Sequence, residues 1–485
     1  MSFYDILLAE KLAGGGGVTP TGSLDISANG SYDVKNYAEA NVNVPSGGSG
    51  VTPKDVNFID YDGTVLYAYT VNEFNALPTM PDNPSHDGLT AQGWNWALTD
   101  AKAQLQAMPD AGLVIGQQYI TNSGDTEIDI ELPDSHLSPY LGITINGVVE
   151  IDWGDGSQIT TVSGSSITTV KQTQHIYADG GAYTIKLHVV SGAFRITGTS
   201  GYSSQLLTDG TNGNALQSYQ CAILHVRFGS GIDTIMDNAF RACKSLVYVT
   251  MPKTITAVGS HAFNRCFTLK SFTLPENVTV INGSTFYYCY SLRYVSIPIN
   301  VVSVGGSAFY ECVSLEQITL SKNIVSISTS IFINCRSLKR IVYPPNADAI
   351  SGCNTCNSLE MAIMPIGISS IPSFVFSECE TLKHANLGEL SALTSIKNSA
   401  FSNCYILEDV TIPSGVTSIG NNAFEKCYAV TKYTLKPLTP PTLGASAFSG
   451  IDSNCIIEVP HGTLEAYQTA SGWSSYASKM VEMTV

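Results

Sequence analysis

The sequence predicts a mainly β protein whose central part is a solenoid, a stack of short coils that share one core. The first observation is a series of nine cysteines that recur every 21 to 25 residues, most often every 23: Cys243, Cys266, Cys289, Cys312, Cys335, Cys356, Cys379, Cys404 and Cys427. One coil of that size cannot bury its apolar side alone, so neighbouring coils must stack. The second observation is composition, because only 13% of the 485 residues are charged, whereas Gly (42) and Tyr (24) are abundant.

Each repeat carries the same apolar pattern around its cysteine. Eight of the nine cysteines follow a phenylalanine by three positions, as Cys243 follows Phe240. A leucine or another apolar residue comes next, with apolar residues three and five positions further on and often a proline. The first repeat shows this with Leu246, Val249, Met251 and Pro252. We interpret the alternation as a short strand with these residues facing inward, whose pairing ends at the proline.

The consensus I-P-x-x-V-T-x-I-x-x-x-A-F-x-x-C-x-S-L-x-x-V-T-I-P resembles the BspA-type leucine-rich repeat from about Cys221 to Lys436. The resemblance implies a right-handed leucine-rich-repeat solenoid of nine to ten coils, with a parallel strand ladder on one face. It also implies a role in binding, because members of this family are usually cell-surface adhesins, host-interaction proteins or phage-borne binding modules. We predict that the solenoid covers residues 201–436 and that residues 437–485 form its C-terminal cap, with a strand at Cys455 to Val459 and a helix from about Gly462 to Ser471. Trp473 is predicted to pack inside this cap rather than to bind a ligand.

The register of the repeat predicts what its cysteines do. Equivalent positions in adjacent coils stack at strand spacing, so the pattern favours a ladder of free, buried thiols. Disulfides between coils and metal sites remain open as alternatives. Cys353 and Cys356 are three positions apart but have no partner pair at zinc-finger spacing. We therefore predict no metal and no cofactor.

Residues 122–200 are predicted to form a small β-sandwich. They resemble a PKD-like, immunoglobulin-like domain in a series of matching positions: Asp152, Trp153, Gly154, Asp155, Gly156, His175, Tyr177, Gly181, Tyr183, Ile185 and Leu187. The Asp-Gly pairs favour a tight turn between strands. Catalysis or calcium binding by Asp152 and Asp155 is the alternative, but no second carboxylate cluster follows at a ligand spacing.

Residues 51–121 are predicted to form a small α+β module. The run Val56 to Ala68 predicts a hairpin that turns at Asp62-Gly63, and Leu89 to Met108 predicts a helix carrying Trp94 and Trp96 as core residues. Two of its segments, D-Y-D-G-T-V and G-L-T-A-Q-G-W-N-W, resemble a module of phage and prophage tail or fibre proteins.

The first fifty residues are predicted to attach the chain to a larger assembly. Residues 13–50 are Gly-rich linkers that flank a short β segment, and such joints are flexible. Residues 1–12 are predicted to be a helical docking peptide, because a helix this short needs a partner groove to become ordered. Its predicted contact residues are Phe3, Tyr4, Ile6, Leu7 and Leu8.

Composition and motifs disfavour several functions. A formal net charge of −16 argues against nucleic acids and anionic membranes as partners. No run of about 18 apolar residues predicts membrane insertion, and the N-terminus lacks the pattern of a signal peptide. No nucleophile elbow, phosphate loop or H-E-x-x-H motif is present, so we do not expect an enzyme. An envelope-glycan-degrading spike enzyme remains the third possibility.

Binding through the outward positions of the solenoid is the favoured function, because stacked coils make an extended surface. Tyr and Arg are the residue types that most often dominate binding energy. The predicted ligand-binding positions on the strands are Tyr248, Arg293, Tyr294, Lys339, Arg340 and His384. A second row after the cysteines contains Phe267, Tyr290, Tyr405 and Tyr428.

Together these features predict a structural protein of a phage or prophage virion, of the tail or head fibre type. It would bind virion proteins through its N-terminus and a host cell-surface glycan or protein through its repeats. A homo-oligomer is expected. The alternative is a bacterial cell-surface adhesin with the same repeats.

Overall fold

The computed structural model describes residues 51–196, 206–208, 219 and 221–484. The predicted docking peptide and Gly-rich linkers lie outside these residues. The described residues form a mainly β structure with a solenoid of about 11 turns of about 23 residues, slightly longer than the nine to ten coils predicted. Among them, no helix combines the length and the apolar character needed to cross a bilayer.

Residues 51–121 fold around a four-stranded sheet. Its strands are β1 (Val56–Ile59), β2 (Val65–Tyr69), β3 (Leu89–Trp94) and β4 (Leu113–Thr121), in the order β2-β1-β4-β3. Two helices, α1 (Val71–Asn75) and α2 (Leu98–Ala107), and a 3-10 turn (Pro109–Ala111) complete the module. The predicted hairpin is present as β1 and β2, with Gly63 at a φ of +87° in its turn.

The helix predicted from Leu89 to Met108 is wrong in its first half. Residues Leu89–Trp94 form β3, which pairs with β4, and the helix begins only at Leu98. Gly93 adopts a φ of +99° and lies beside an irregularity in the pairing, a conformation that a helix cannot include. Trp94 and Trp96 are core residues, as predicted, at 7% and 3% exposure.

Residues 122–196 and 206–208 lie in a sheet that continues into the first coils. They form β5 (Thr126–Leu132), β6 (Tyr140–Asp152), β7 (Thr160–Gln174), β8 (Gly181–Ile196) and β9 (Leu207–Thr208). Strand β5 pairs antiparallel with the first strand of the solenoid, and β8 runs parallel to the second. These five strands belong to one nine-stranded sheet with the first four strands of the solenoid, and their buried apolar side chains join the same core, so the residues predicted to form a small β-sandwich are continuous with the repeats.

The Asp-Gly segment after β6 is a turn in which the side chains are used locally. Asp152 accepts a hydrogen bond from the backbone N–H of Gly154 (2.9 Å), and Asp155 accepts one from Ser157 (3.0 Å). The second carboxylate oxygen of Asp155 lies 2.8 Å from Nε2 of His175. These contacts match the predicted turn.

Two parallel ladders run along the solenoid. The first, here called the strand face, contains β10 (Ile223–Arg227), β12 (Tyr248–Thr250), β14 (Ser271–Thr273), β16 (Tyr294–Ser296), β18 (Gln317–Ile318), β20 (Arg340–Val342), β21 (Met361–Ile363), β23 (His384–Ala385), β25 (Val410–Ile412), β27 (Lys432–Leu435) and β29 (Ile456–Val459). The second contains β11 (Ile232–Ile235), β13 (Ala257–Val258), β15 (Val280–Ile281), β17 (Ser303–Val304), β19 (Ser326–Ile327), β22 (Ser370–Ile371), β24 (Ser395–Ile396), β26 (Ser418–Ile419) and β28 (Thr442–Leu443). A 3-10 turn (Leu387–Glu389) interrupts one connection.

The third side of each coil holds the cysteine and its phenylalanine. Rings of successive coils stack, with Phe263 and Phe286 5.8 Å apart and nearly parallel at 9°. All twelve cysteines are free and buried, as the spacing predicted. Most cysteines of the repeat donate through sulfur to a carbonyl of the preceding coil, as Cys266 does to Phe240 at 3.1 Å.

The C-terminal cap closes the solenoid. It contains α3 (Leu464–Thr469), a 3-10 helix (Ser474–Lys479) and β30 (Met480–Glu482), which pairs with β29. Trp473 is fully buried and packs against Phe448 and Tyr467, with ring centroids 5.7 and 5.3 Å apart. The prediction that Trp473 packs the cap is confirmed.

Candidate binding surface

The strand face is divided into a covered part and an open part. The module of residues 51–121 lies on the early coils, with β4 crossing β12, β14, β16 and β18. Backbone contacts hold it there, since Tyr119 donates its N–H to the carbonyl of Met251 (3.3 Å). Ser296 donates its hydroxyl to Val114 (2.7 Å). The module therefore covers the strand face of the early coils, and this is the covered part.

Two amide side chains join the module to the coils. Asn95 is buried, donates to the carbonyl of Leu274 at 3.0 Å, and accepts from the N–H of Gly116 at 2.9 Å. Gln104 donates to Leu320 at 3.0 Å and accepts from the N–H of Lys322 at 2.8 Å. Buried amides with satisfied hydrogen bonds favour one docking position over others, because a shift would leave polar groups unpaired.

Tyr248 and Tyr294 lie under this module. Tyr294 was expected to project outward, but it is 1% exposed and packs against Ile59, Val65 and Val114. Burial raises the pKa of its hydroxyl to about 12. Tyr248 lies 4.7 Å from Tyr61 and 4.2 Å from His225, ring centroid to ring centroid. Both tyrosines would project outward from an isolated coil, but in this chain the module of residues 51–121 packs over them.

Charged groups surround Tyr248 at the same junction. Arg227 binds Asp129 through two nitrogens, at 2.6 and 2.8 Å, and Glu127 through a third at 3.0 Å. Burial opposes the charge on Asp129, but hydrogen bonds from His225 and Arg227 outweigh it and hold the pKa of this carboxyl well below its usual range. This network ties β5 to β10 where the N-terminal strands meet the first coil.

The predicted arginines lie at the border of the covered part. Arg340 donates to the carbonyl of Asp110 at 2.8 Å and pairs with Asp55 at 3.4 Å, so it contacts the module. Arg293 pairs with Glu316 at 2.8 Å and lies over the ring of Tyr294. Both guanidinium groups already have partners within the protein, so fewer of their N–H donors are available to another molecule.

The open part of the strand face begins beyond these residues. Lys339 and His384 are exposed there. His384 and Glu408 form an exposed ion pair at 3.2 Å. They border a concavity of about 410 Å³ whose other lining residues include Lys383, Asp409, Leu407, Val410 and Thr431. Asp409 is held in place, since one of its oxygens accepts from the hydroxyl and the N–H of Thr431 and the N–H of Lys432.

The second predicted row forms two separate stacked pairs. Phe267 and Tyr290 lie 4.9 Å apart, and Tyr405 and Tyr428 lie 5.6 Å apart. Sequence reasoning missed three tyrosines near the first pair: Tyr287, Tyr288 and Tyr310. The run F-Y-Y-C-Y at residues 286–290 was the available signal. The predicted docking residues Phe3, Tyr4, Ile6, Leu7 and Leu8 lie outside the described residues.

Metal-ligating side chains and thiols are the remaining candidates for reactive groups in the described residues. No group of three His, Cys, Asp or Glu side chains in the described ranges could hold a metal ion. Burial raises the pKa of the repeat thiols, well above the usual value for Cys312 and Cys404. A thiol of this kind is a poor nucleophile, because the reactive species is the thiolate.

The repeats match a family model described as a BspA type leucine rich repeat region. The match contains six copies and covers residues 215–339 and 351–470, about half of the chain. No curated protein matches the sequence.

Several solved structures contain similar repeats. A leucine rich cell surface protein from Faecalibacterium prausnitzii A2-165 is 25% identical, with 50% of this chain and 74% of that one covered and a TM-score of 0.31. A leucine-rich repeat protein from Bacteroides ovatus is 20% identical, with 54% and 95% covered and a TM-score of 0.29. The T. pallidum leucine rich repeat protein is 23% identical, with 36% and 72% covered and a TM-score of 0.27.

Proposed function

This chain belongs to the BspA-type leucine-rich repeat family, and from that premise we propose that it is a non-enzymatic adhesion protein that binds a partner on a cell surface. The observation that carries the proposal is the divided strand face. The module occupies the early coils, whereas the later coils present exposed polar side chains around the concavity that His384 and Glu408 border. We assign partner binding to this open part.

The open part suits a polar partner. Lys383, His384 and Glu408 are exposed, while Leu407 and Val410 are buried in its lining. Exposed charges in such a position steer a partner and select its orientation more than they add raw affinity. A host glycan or protein with complementary charge is therefore the expected ligand.

The test is attachment of the full chain to host cells. A triple variant, Lys383→Ala with His384→Ala and Glu408→Ala, should weaken attachment at least tenfold, because it removes three of the four titratable side chains that line the concavity. The matched control is Lys253→Ala with Glu276→Ala, which removes a partly exposed ion pair (3.3 Å) away from the concavity. Equal attachment of the triple variant and the wild-type protein would contradict the assignment.

A finer proposal places the protein on a phage or prophage particle as a tail or head fibre. It is supported by the sequence of residues 1–50, with its apolar peptide and Gly-rich linkers, and by the resemblance of residues 51–121 to fibre modules. A homo-oligomer held by virion proteins would follow. Quantifying the protein in purified particles and in bacterial envelope fractions distinguishes the two locations, since enrichment in envelopes alone supports a bacterial surface adhesin.

A further inference from the structure

A cluster of five aromatic side chains lies on the cysteine side of the early coils, away from the strand face. We call it the aromatic patch: Phe267, Tyr287, Tyr288, Tyr290 and Tyr310. The rings of Tyr287 and Tyr310 stack at 4.8 Å and those of Phe267 and Tyr290 at 4.9 Å. Tyr288 joins the two pairs, with its ring centroid 5.7 Å from Tyr290 and 5.8 Å from Tyr310. All five are partly exposed.

Cations border the aromatic patch although the chain is acidic. The ammonium of Lys244 lies 5.8 Å from the ring centroid of Phe267, and the guanidinium of Arg265 lies 5.7 Å from that of Tyr288. The chain as a whole has a net charge of −16. Glu311, at the edge of the patch, is directed to the amide of Asn334, which donates to it at 2.8 Å. The patch therefore combines aromatic rings and hydroxyls with a border of two cations and one carboxylate.

The backbone under the patch shows that these residue types are not needed for folding. Arg265 and Tyr288 have φ values of +63°, in the left-handed region. Bulky side chains are disfavoured there, and Asn is one of the residues that tolerates it best. The same position of later coils holds Asn334 and Asn403, both with a φ of +61°. Folding alone would favour Asn at residues 265 and 288.

We propose that the aromatic patch binds an acidic polysaccharide. Arg265 and Lys244 would pair with its carboxylate or sulfate groups. The tyrosine rings would contact the sugar faces, and their hydroxyls would hydrogen-bond to the sugar hydroxyls. Equivalent rings of neighbouring coils lie about one coil apart, so the patch repeats in space, which suits a ligand that is itself a repeating polymer. This site is separate from the open part of the strand face and does not depend on it.

The test is titration of the full chain with defined oligosaccharides by calorimetry. The acidic probes are oligogalacturonate, which carries carboxylates, and a chondroitin sulfate hexasaccharide, which also carries sulfate. Methyl-esterified oligogalacturonate is the neutral probe. At least one acidic probe should bind, and the neutral probe should bind at least tenfold more weakly. Affinity for the acidic probe should also fall as salt rises, because salt screens exposed charges.

The variants are chosen so that the fold is kept. Tyr288→Asn and Arg265→Asn introduce the residue already present in other coils, so the melting temperature of both variants should be no lower than that of the wild-type protein. Each substitution should reduce the affinity for the acidic probe at least tenfold. The matched control is Lys426→Asn, at the same repeat position with a φ of +58° in a distant coil. It removes a charge and should leave affinity unchanged.

Three results would overturn the proposal: no binding of either acidic probe, equal binding of the neutral probe, or unchanged affinity in Tyr288→Asn. A Tyr288→Asn protein that attaches poorly to cells while keeping its affinity for both acidic probes would show that the patch binds something other than an acidic polysaccharide and would also overturn it. The triple variant in the open part of the strand face should bind the acidic probe normally. Failure of the proposal for the aromatic patch is therefore distinguishable from failure of the proposal for the open part of the strand face.

Discussion

The thiol of Cys289 donates a hydrogen bond to the carbonyl oxygen of Phe263 in the preceding coil, with 3.1 Å between sulfur and oxygen. The same contact recurs along the repeats, at 3.2 Å from Cys312 to Phe286 and 3.1 Å from Cys335 to Phe309. A cysteine fits this position because it is small and apolar yet can satisfy a carbonyl that faces the core. The thiol ladder thus links each coil to the one before it.

Replacing Cys289 by Ala should lower the free energy of unfolding by about 1–3 kcal/mol. The change removes a buried sulfur and leaves the Phe263 carbonyl with one of its two donors, the backbone N–H of Cys266 at 3.1 Å. Urea unfolding followed by circular dichroism measures the effect. Asn357→Ala is the control, because Asn357 follows a repeat cysteine directly and is exposed. Equal stability of the two variants would show that the thiol contact contributes nothing measurable.

The repeat could be predicted from sequence because its determinants are local and recur many times. Each Phe, Cys and Leu stands at a fixed distance from the next, so one pattern defines the fold of every coil. Trp473 was also predictable, since the open end of a stack needs an apolar cover. The burial of Tyr294 was not, because the residues that cover it, Ile59 and Val114, are about 200 positions away in sequence.

The wrong helix prediction and the missed tyrosines also depend on features that the local sequence pattern does not show. The helix predicted to begin at Leu89 was wrong because pairing with β4, a contact between distant segments, overrides local propensity. Phe267 and Tyr290 of the aromatic patch were predicted, but Tyr287 and Tyr288 were missed because they belong to one coil and depart from the consensus there. A repeat analysis emphasises what the coils share, whereas a binding site depends on where they differ.

Removing the Asn95 amide should loosen the module from the solenoid. Asn95→Ala leaves the Leu274 carbonyl and the Gly116 N–H without this partner, at a cost of about 2–4 kcal/mol. Hydrogen exchange should speed up in residues 271–273 and 294–296 under the module and stay unchanged in residues 432–435.

Asn122→Ala is the matched control for this experiment. Its side chain accepts a hydrogen bond from Thr90 on the exposed edge of the module, so its loss should leave the exchange pattern as in the wild-type protein. Unchanged exchange under the module in Asn95→Ala would contradict the role assigned to Asn95.

The network around Asp129 should make the protein less stable in acid. Hydrogen bonds from His225 and Arg227 keep the folded-state pKa of Asp129 well below that of an unfolded aspartate, about 3.9. A lowered pKa stabilises the fold above the unfolded value, and this contribution is lost as pH falls below about 4 toward the folded pKa. Asp129→Asn should therefore lower the melting temperature at pH 6 and show less additional loss between pH 5 and 3. Parallel pH profiles of the two proteins would refute the assignment.

The cap should control the stability of the last coils through Trp473. Its indole N–H donates to the carbonyl of Pro441 at 2.7 Å, and its ring is fully buried against Phe448 and Tyr467. Trp473→Ala should lower the free energy of unfolding by about 3–5 kcal/mol, because it leaves a large cavity and an unpaired carbonyl.

Opening of the solenoid in this variant should begin at the capped end, since each coil is stabilised by its neighbours. Exchange should thus accelerate first in residues 456–459, then in residues 432–435, and last in residues 294–296. Trp473→Phe, which keeps much of the volume, should show the same order with a smaller effect. Simultaneous acceleration in all three strands would mean that the solenoid unfolds as one unit and that the cap has no special role.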